Sequence, residues 1–289
     1  MYTDIHCHGG GGHDFGGTVE GTRAALAAHR AHGTSKVVAS LVSAPASEIA
    51  RAAGVIRTVM AEDAGLLGIH LEGPFLQPLR KGAHDPAALA LPTPDTVAAL
   101  LDACDGTLRQ ITMAPELPHA LDAIETLVEA GVVVAVGHTE CTAQEAREAF
   151  DRGATLLTHG LNAMRGIAAR EPGPVGAALA DERVSIELIA DGIHVDPGLV
   201  AGLFRAAPGR TVLVTDAMSA AASSPGRYLL GGLDVDVTED GRAVLAGTST
   251  LAGSTLTMDR AVEVCVAAGV PEADAVAAAT TTPERVLGL

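Results

Sequence analysis

Six short segments, far apart in the chain, each end an apolar run on a histidine or a carboxylate. They are His6-Cys7-His8, Glu72 in His-Leu-Glu-Gly-Pro-Phe, His138 in Val-Gly-His-Thr, His159 in Leu-Leu-Thr-His, His194 in Asp-Gly-Ile-His and Asp216 in Val-Leu-Val-Thr-Asp-Ala-Met. Imidazole nitrogen and carboxylate oxygen are the ligand atoms of zinc and of neighbouring transition metals. Residues so distant in sequence meet on one ion only if successive strands end at one place, which is the geometry of the C-terminal mouth of a barrel.

Each segment has a plainer reading that must be weighed. In a strand, positions i and i+2 share a face, so His6 and His8 project together while Cys7 turns the other way. A bare His-X-His can also be two polar residues at a strand end; the run Gly9 to Gly12 favours ligation, because glycine lets backbone approach a ligand closely. Glu72 precedes Gly73-Pro74, a turn that halts the strand and leaves the carboxylate at the rim. A solvated loop glutamate is the alternative, but a carboxylate after Leu66 to Leu71 is costly to bury without a cation. His138 and His159 close two further strands in the same way, where either alone could be a satisfied core histidine. Asp216 ends the last strand, which barrel closure sets beside the first, and there it could take a proton from an activated water. Its competing role is a helix-capping aspartate before Ala217-Met218.

The elements needed to position these residues are legible. Apolar, β-branched runs recur at 3–7, 36–42, 66–72, 110–114, 132–138, 155–159, 185–190 and 211–216. Segments 18–32, 47–62, 94–103, 118–130, 142–152, 173–181, 197–206 and 254–268 have helical composition, several opened by Thr, Ser or Pro. Eightfold strand and helix alternation predicts an α/β fold of the (β/α)8, TIM-like type. The runs at 132–138 and 211–216 are continuously apolar, as expected of strands covered on both faces. Residues 227–247 break the rhythm with Leu-Asp-Val-Asp-Val, Glu-Asp-Gly and Ala-Val-Leu, which reads as a β-hairpin inserted after the eighth strand. The stretch from Pro271 to Leu289 reads as one or two short helices.

At 289 residues and 48% apolar content, with 2% aromatic residues and no tryptophan, one large aliphatic core is expected. A formal net charge of −16 disfavours nucleic acid and anionic membranes as partners. An anionic substrate would have to be met by a few local cationic groups inside one cleft. Cys7, Cys104, Cys141 and Cys265 show neither disulfide-framework nor zinc-ribbon spacing, which fits a reducing cytoplasm. No leader-like N-terminus and no apolar run of spanning length is visible.

In their order and spacing these blocks resemble the N-acetylglucosamine-6-phosphate deacetylases of the amidohydrolase superfamily. Matching segments are Asp4-Ile5-His6-Cys7-His8-Gly9, His70 to Phe75, Lys81-Gly82-Ala83-His84, Val136-Gly137-His138-Thr139, Thr158-His159 with Asn162-Ala163-Met164, Arg170-Glu171-Pro172-Gly173, Asp191 to Val195, Thr215 to Met218 and Leu251 to Ser254. The resemblance implies a divalent metal held by Glu72, His138 and His159, with His6 and His8 completing a second site bridged by Glu72. Zinc or iron suits such a nitrogen and carboxylate set. It implies Asp216 as the catalytic base that later protonates the leaving amine. His84, Asn162, Ala163, Arg170 and His194 would contact a phosphorylated amino sugar, with Arg170 on the phosphate and able to reach across a homodimer interface. The implied reaction is hydrolysis of the acetamide to acetate and free amine. Rivals are another N-acyl sugar or cyclic amide as substrate, or a barrel that binds a sugar phosphate without turnover. Two departures stand out. Gly160-Leu161 replaces a bulkier pair beside the sugar, and the family's terminal segments, which form a β-sandwich, have no counterpart, so residues 1–289 read as a single barrel domain.

Overall fold

The computed structural model describes residues 1–289. Eight strands pair in parallel and in sequence order: β1 (Tyr2–Cys7), β2 (Thr34–Val42), β3 (Leu66–Glu72), β4 (Leu108–Met113), β5 (Val133–Val136), β6 (Leu156–Leu157), β7 (Ser185–Leu188) and β8 (Thr211–Leu213). The expected (β/α)8 alternation is therefore present. Seven helices connect these strands: α1 (Val19–Ala31), α2 (Ala46–Met60), α3 (Pro94–Cys104), α4 (Ala120–Glu129), α5 (Ala143–Asp151), α6 (Gly173–Leu179) and α7 (Pro197–Ala206). Their starts follow local chemistry. Thr18 accepts the Gly21 N–H, Thr142 and Glu145 form a reciprocal capping box, and Asp196 accepts the Gly198 N–H ahead of Pro197.

Between β8 and β1 the ring is joined by single contacts in place of a ladder. The Asp216 N–H donates to the His6 carbonyl, and the His8 N–H to the Ala217 carbonyl, both at 2.8 Å. Asp4, wholly buried, reinforces this seam by accepting the Thr215 hydroxyl at 2.5 Å and the Thr215 N–H at 3.3 Å. On its other side the Ser254 N–H donates to the Asp216 carbonyl at 2.8 Å.

One core of 66 buried residues, mostly Ala, Val, Leu and Ile, fills the space between strands and helices. The insertion after β8 is larger than a hairpin. It is a three-stranded antiparallel sheet of β9 (Gly226–Leu230), β10 (Leu233–Val237) and β11 (Ala243–Leu245): the expected hairpin is β10 and β11, and Gly226–Leu230 adds a strand on the other side of β10. A separate seven-residue cluster that includes Met218, Leu230 and Val235 seats this sheet on the barrel rim. Helix α8 spans only Met258–Ala267, shorter than the expected 254–268, because Ser254 is committed to the seam. The end of the chain forms two short helices, α9 (Glu272–Ala278) and α10 (Thr281–Val286). No helix is long and apolar enough to cross a membrane.

Candidate metal centre and active-site cavity

Strands β5, β6 and β8 stop short of the residues expected to do chemistry. His138, His159 and Asp216 lie just past those strands with φ of 48°, 29° and 49°. Left-handed backbone is uncommon for residues other than glycine and concentrates where surrounding structure enforces it at functional sites. Here it swings all three side chains back over the barrel mouth. Glu72 is the last residue of β3, and Gly73 turns the chain with φ 88°. A Cβ on Gly73 would sit 2.2 Å from the Ser43 hydroxyl oxygen, so only glycine allows this corner.

Two overlapping groups of ligand-type atoms result: Glu72, His138 and His159; and His6, His8, Glu72 and Asp216. Glu72 belongs to both. Its Oε1 lies 2.9 Å from His138 Nε2 and 3.1 Å from His159 Nε2, and its Oε2 lies 3.3 Å from His8 Nε2. Asp216 Oδ1 is 3.2 Å from His8 Nε2 and 3.4 Å from His6 Nε2.

The donor chemistry of these groups fits a divalent cation. His138 Nδ1 faces the Arg80 carbonyl at 2.7 Å, and a carbonyl can only accept, so Nδ1 carries the proton. In neutral imidazole Nε2 is then a lone pair, yet it points at the Glu72 oxygen and at His159 Nε2 3.1 Å away. Lone pairs facing lone pairs are relieved by a cation between them, either a proton on an imidazole or a metal ion. His6 repeats the pattern: its Nδ1 faces the Glu187 carboxylate at 3.0 Å, and its Nε2 faces Glu72 and Asp216. The charges agree. Burial opposes charging His8, but hydrogen bonds to Asp216 and Glu72 hold its imidazolium up to about 9. Burial also opposes ionising Glu72, yet His6 and His138 keep its carboxyl well below the usual range. Two buried carboxylates among imidazoles thus call for positive charge, which a metal ion supplies.

A cavity of about 520 Å³ opens over this cluster. His8, Glu72, His138, His159 and Asp216 form part of its wall, joined by His84, Asn162, Ala163 and His194. His194 Nδ1 is fixed by Asp191 Oδ2 at 2.7 Å, leaving its other nitrogen for a ligand. His84 Nδ1 accepts the Ser43 N–H at 3.2 Å, so its Nε2 donates to Glu72 Oε2 at 3.2 Å. His84 therefore braces the shared carboxylate as well as facing the cavity. Arg170 is not brought in: it is exposed on the loop before α6 and lies outside the cavity wall.

Sequence reasoning missed Arg80 and Lys81, which line the cavity and supply its nearby positive charge. It also missed Glu187, whose signal is a glutamate inside the buried run Ser-Ile-Glu-Leu of β7. The glycine run after His8 serves packing within the protein. A Cβ on Gly9 would lie 2.3 Å from the His13 carbonyl oxygen.

A (β/α)8 barrel with this histidine and carboxylate cluster at its C-terminal mouth is a hydrolase of the amidohydrolase class. No family model matches the chain. Across its whole length it is 40% identical to an N-acetylgalactosamine-6-phosphate deacetylase of Escherichia coli O157:H7, covering 77% of that protein. It is 37% identical to the human N-acetylglucosamine-6-phosphate deacetylase, covering 74% of it. Among solved structures, a variant N-acetyl-D-glucosamine-6-phosphate deacetylase from Mycobacterium smegmatis, in complex with N-acetyl-D-glucosamine-6-phosphate, aligns at TM-score 0.94 and 47% identity. That alignment covers all of this chain and 77% of that one. The Thermotoga maritima enzyme aligns at TM-score 0.91 and 29% identity, covering 99% of this chain and 78% of that one. The chain belongs to the N-acetylglucosamine-6-phosphate deacetylase family.

Proposed function

We propose that the chain removes the N-acetyl group of N-acetylglucosamine 6-phosphate, giving glucosamine 6-phosphate and acetate. The observation that carries this reading is Asp216 Oδ1 on the cavity wall, 3.2 Å from His8 Nε2, within a cluster whose lone pairs converge on Glu72. Glu72, His138 and His159 would hold one divalent ion; His6 and His8, with Glu72 and Asp216, would hold a second, zinc or iron suiting both sets. Such an ion supplies Lewis acidity to the amide carbonyl and to the attacking water. Asp216, kept ionised chiefly by His6 against the cost of burial, takes the proton of that water and returns it to the amide nitrogen as the C–N bond breaks. His194, fixed by Asp191, would present a ring nitrogen to the substrate, and Asn162 and Ala163, which line the cavity, would contact the sugar.

Two cations of the cavity wall, Arg80 and Lys81, suit an anionic substrate despite the net charge of −16. Arg170 would act on the phosphate from a second copy of the chain. Leu79 and Ile167, 83% and 55% exposed on the same loops, are the apolar surface a homodimer would cover. Four free, buried cysteines suit a reducing cytoplasm. Residues 1–289, built around one main core, act in this reading as a single domain.

The test is acetate release from N-acetylglucosamine 6-phosphate by metal-loaded protein. Because the Escherichia coli relative carries the galactosamine name, the C4 epimer runs beside it, with the unphosphorylated sugar as a third arm. Acetate from neither phosphorylated epimer would refute the reading.

A further inference from the structure

Behind the nitrogens that face the candidate metal centre, the histidines have unlike partners. His138 Nδ1 meets the neutral Arg80 carbonyl at 2.7 Å, and His159 Nδ1 is buried with no partner. His6 Nδ1 alone meets an anion, Glu187 Oε2, at 3.0 Å. Glu187 is wholly buried on β7, and its carboxylate is fixed on both sides. Oε1 accepts from Gln110 Nε2 at 2.7 Å, and Oε2 also accepts the His159 backbone N–H at 3.2 Å.

We propose that Glu187 is a positioning residue that locks His6 in the tautomer protonated on Nδ1 and thereby sets the affinity of the His6/His8 cation site apart from that of the Glu72/His138/His159 site. The inference rests on the proposed reading in which these residues hold cations. A carboxylate only accepts, so Nδ1 must donate and the Nε2 lone pair is left aimed at the cluster. Without an acceptor there His6 is free to place its proton on Nε2 and share it with Asp216, 3.4 Å away, which closes the site to a cation. The buried negative charge also makes Nε2 a stronger donor to metal, which a carbonyl or an unpartnered nitrogen does not.

Glu187→Gln isolates the charge. The Oε1 of Gln110 has no partner, so rotating that amide lets it accept from the introduced amide while the acceptor facing His6 and His159 is kept. The full chain is stripped with a chelator and titrated with zinc or cobalt, bound metal is counted by mass spectrometry, and the cobalt visible spectrum is followed. Wild type takes two ions. E187Q keeps the first at unchanged affinity and binds the second about 10- to 100-fold more weakly, as His6→Gln does. Should E187Q fail to fold, Gln110→Leu, which removes one donor from the carboxylate, weakens the second ion alone. An unchanged second ion in the folded variants, equal weakening of both ions, or a wild type that takes one ion overturns the proposal. Acetate release is read on the same samples. Two ions bound without acetate from wild type would sink the proposed activity and leave the role of Glu187 standing.

Discussion

The backbone N–H of Asp216 donates to the carbonyl of His6 at 2.8 Å, and the Asp216 side chain lies 3.4 Å from His6 Nε2. The bond that joins the last strand region to the first thus also sets the proposed base beside the first-strand histidines. Fold closure and the proposed proton transfer share one seam.

Asp216→Asn keeps that backbone bond and the side-chain shape but removes the proton acceptor. Acetate release falls about 100- to 10,000-fold, while metal content at the Glu72/His138/His159 group and the melting temperature hold. Steady-state kinetics beside metal analysis checks this, and turnover near wild type would dismiss Asp216 as the base.

Glu72→Gln removes the shared carboxylate, whose Oε1 faces His138 and His159 and whose Oε2 faces His8. Metal content drops at both sites together, unlike the single-site effect of His6→Gln. Equilibrium dialysis with zinc separates the two patterns.

The seam has its own stabilising contact. Thr215→Val removes the hydroxyl that donates to buried Asp4 at 2.5 Å, leaving that carboxylate one donor short. Urea unfolding is expected to show a loss of about 1–3 kcal/mol.

Gly73→Ala places a Cβ against the Ser43 hydroxyl at a φ of 88°. The cost is about 1–3 kcal/mol of stability. Because Glu72 is the adjacent residue, metal affinity falls as well, which distinguishes this change from a remote packing defect of equal size.

Arg170→Ala raises KM for the phosphorylated sugar about tenfold or more and leaves the unphosphorylated sugar unaffected, the loss of a charged hydrogen bond. An equal effect on both sugars would remove Arg170 from the phosphate.

The strand ends were readable because a buried parallel strand must be apolar and the first polar residue after it marks the mouth. That placed His138, His159 and Asp216, although the left-handed turns that aim them were not visible. Helix α8 was read too long, since Ser254 has ordinary helical surroundings in sequence and its hydroxyl bond to the Thr215 carbonyl at 2.6 Å exists only in the folded seam. Glu187 escaped because one glutamate in a strand normally marks a solvent face, whereas here it points into a layer with Gln110 and His6. The added strand of the insertion, β9, precedes the alternating Leu-Asp-Val-Asp-Val segment as Gly-Arg-Tyr-Leu-Leu, which has no polar and apolar alternation to mark it, and only its pairing with β10 defines it.

Metal-dependent deacetylation at this cluster is tested by acetate release from N-acetylglucosamine 6-phosphate by chelated and reconstituted protein. Acetate production should vanish on chelation and return when zinc or iron is restored. Production that survives complete metal removal, or that fails to appear in protein with both ions bound, would contradict it.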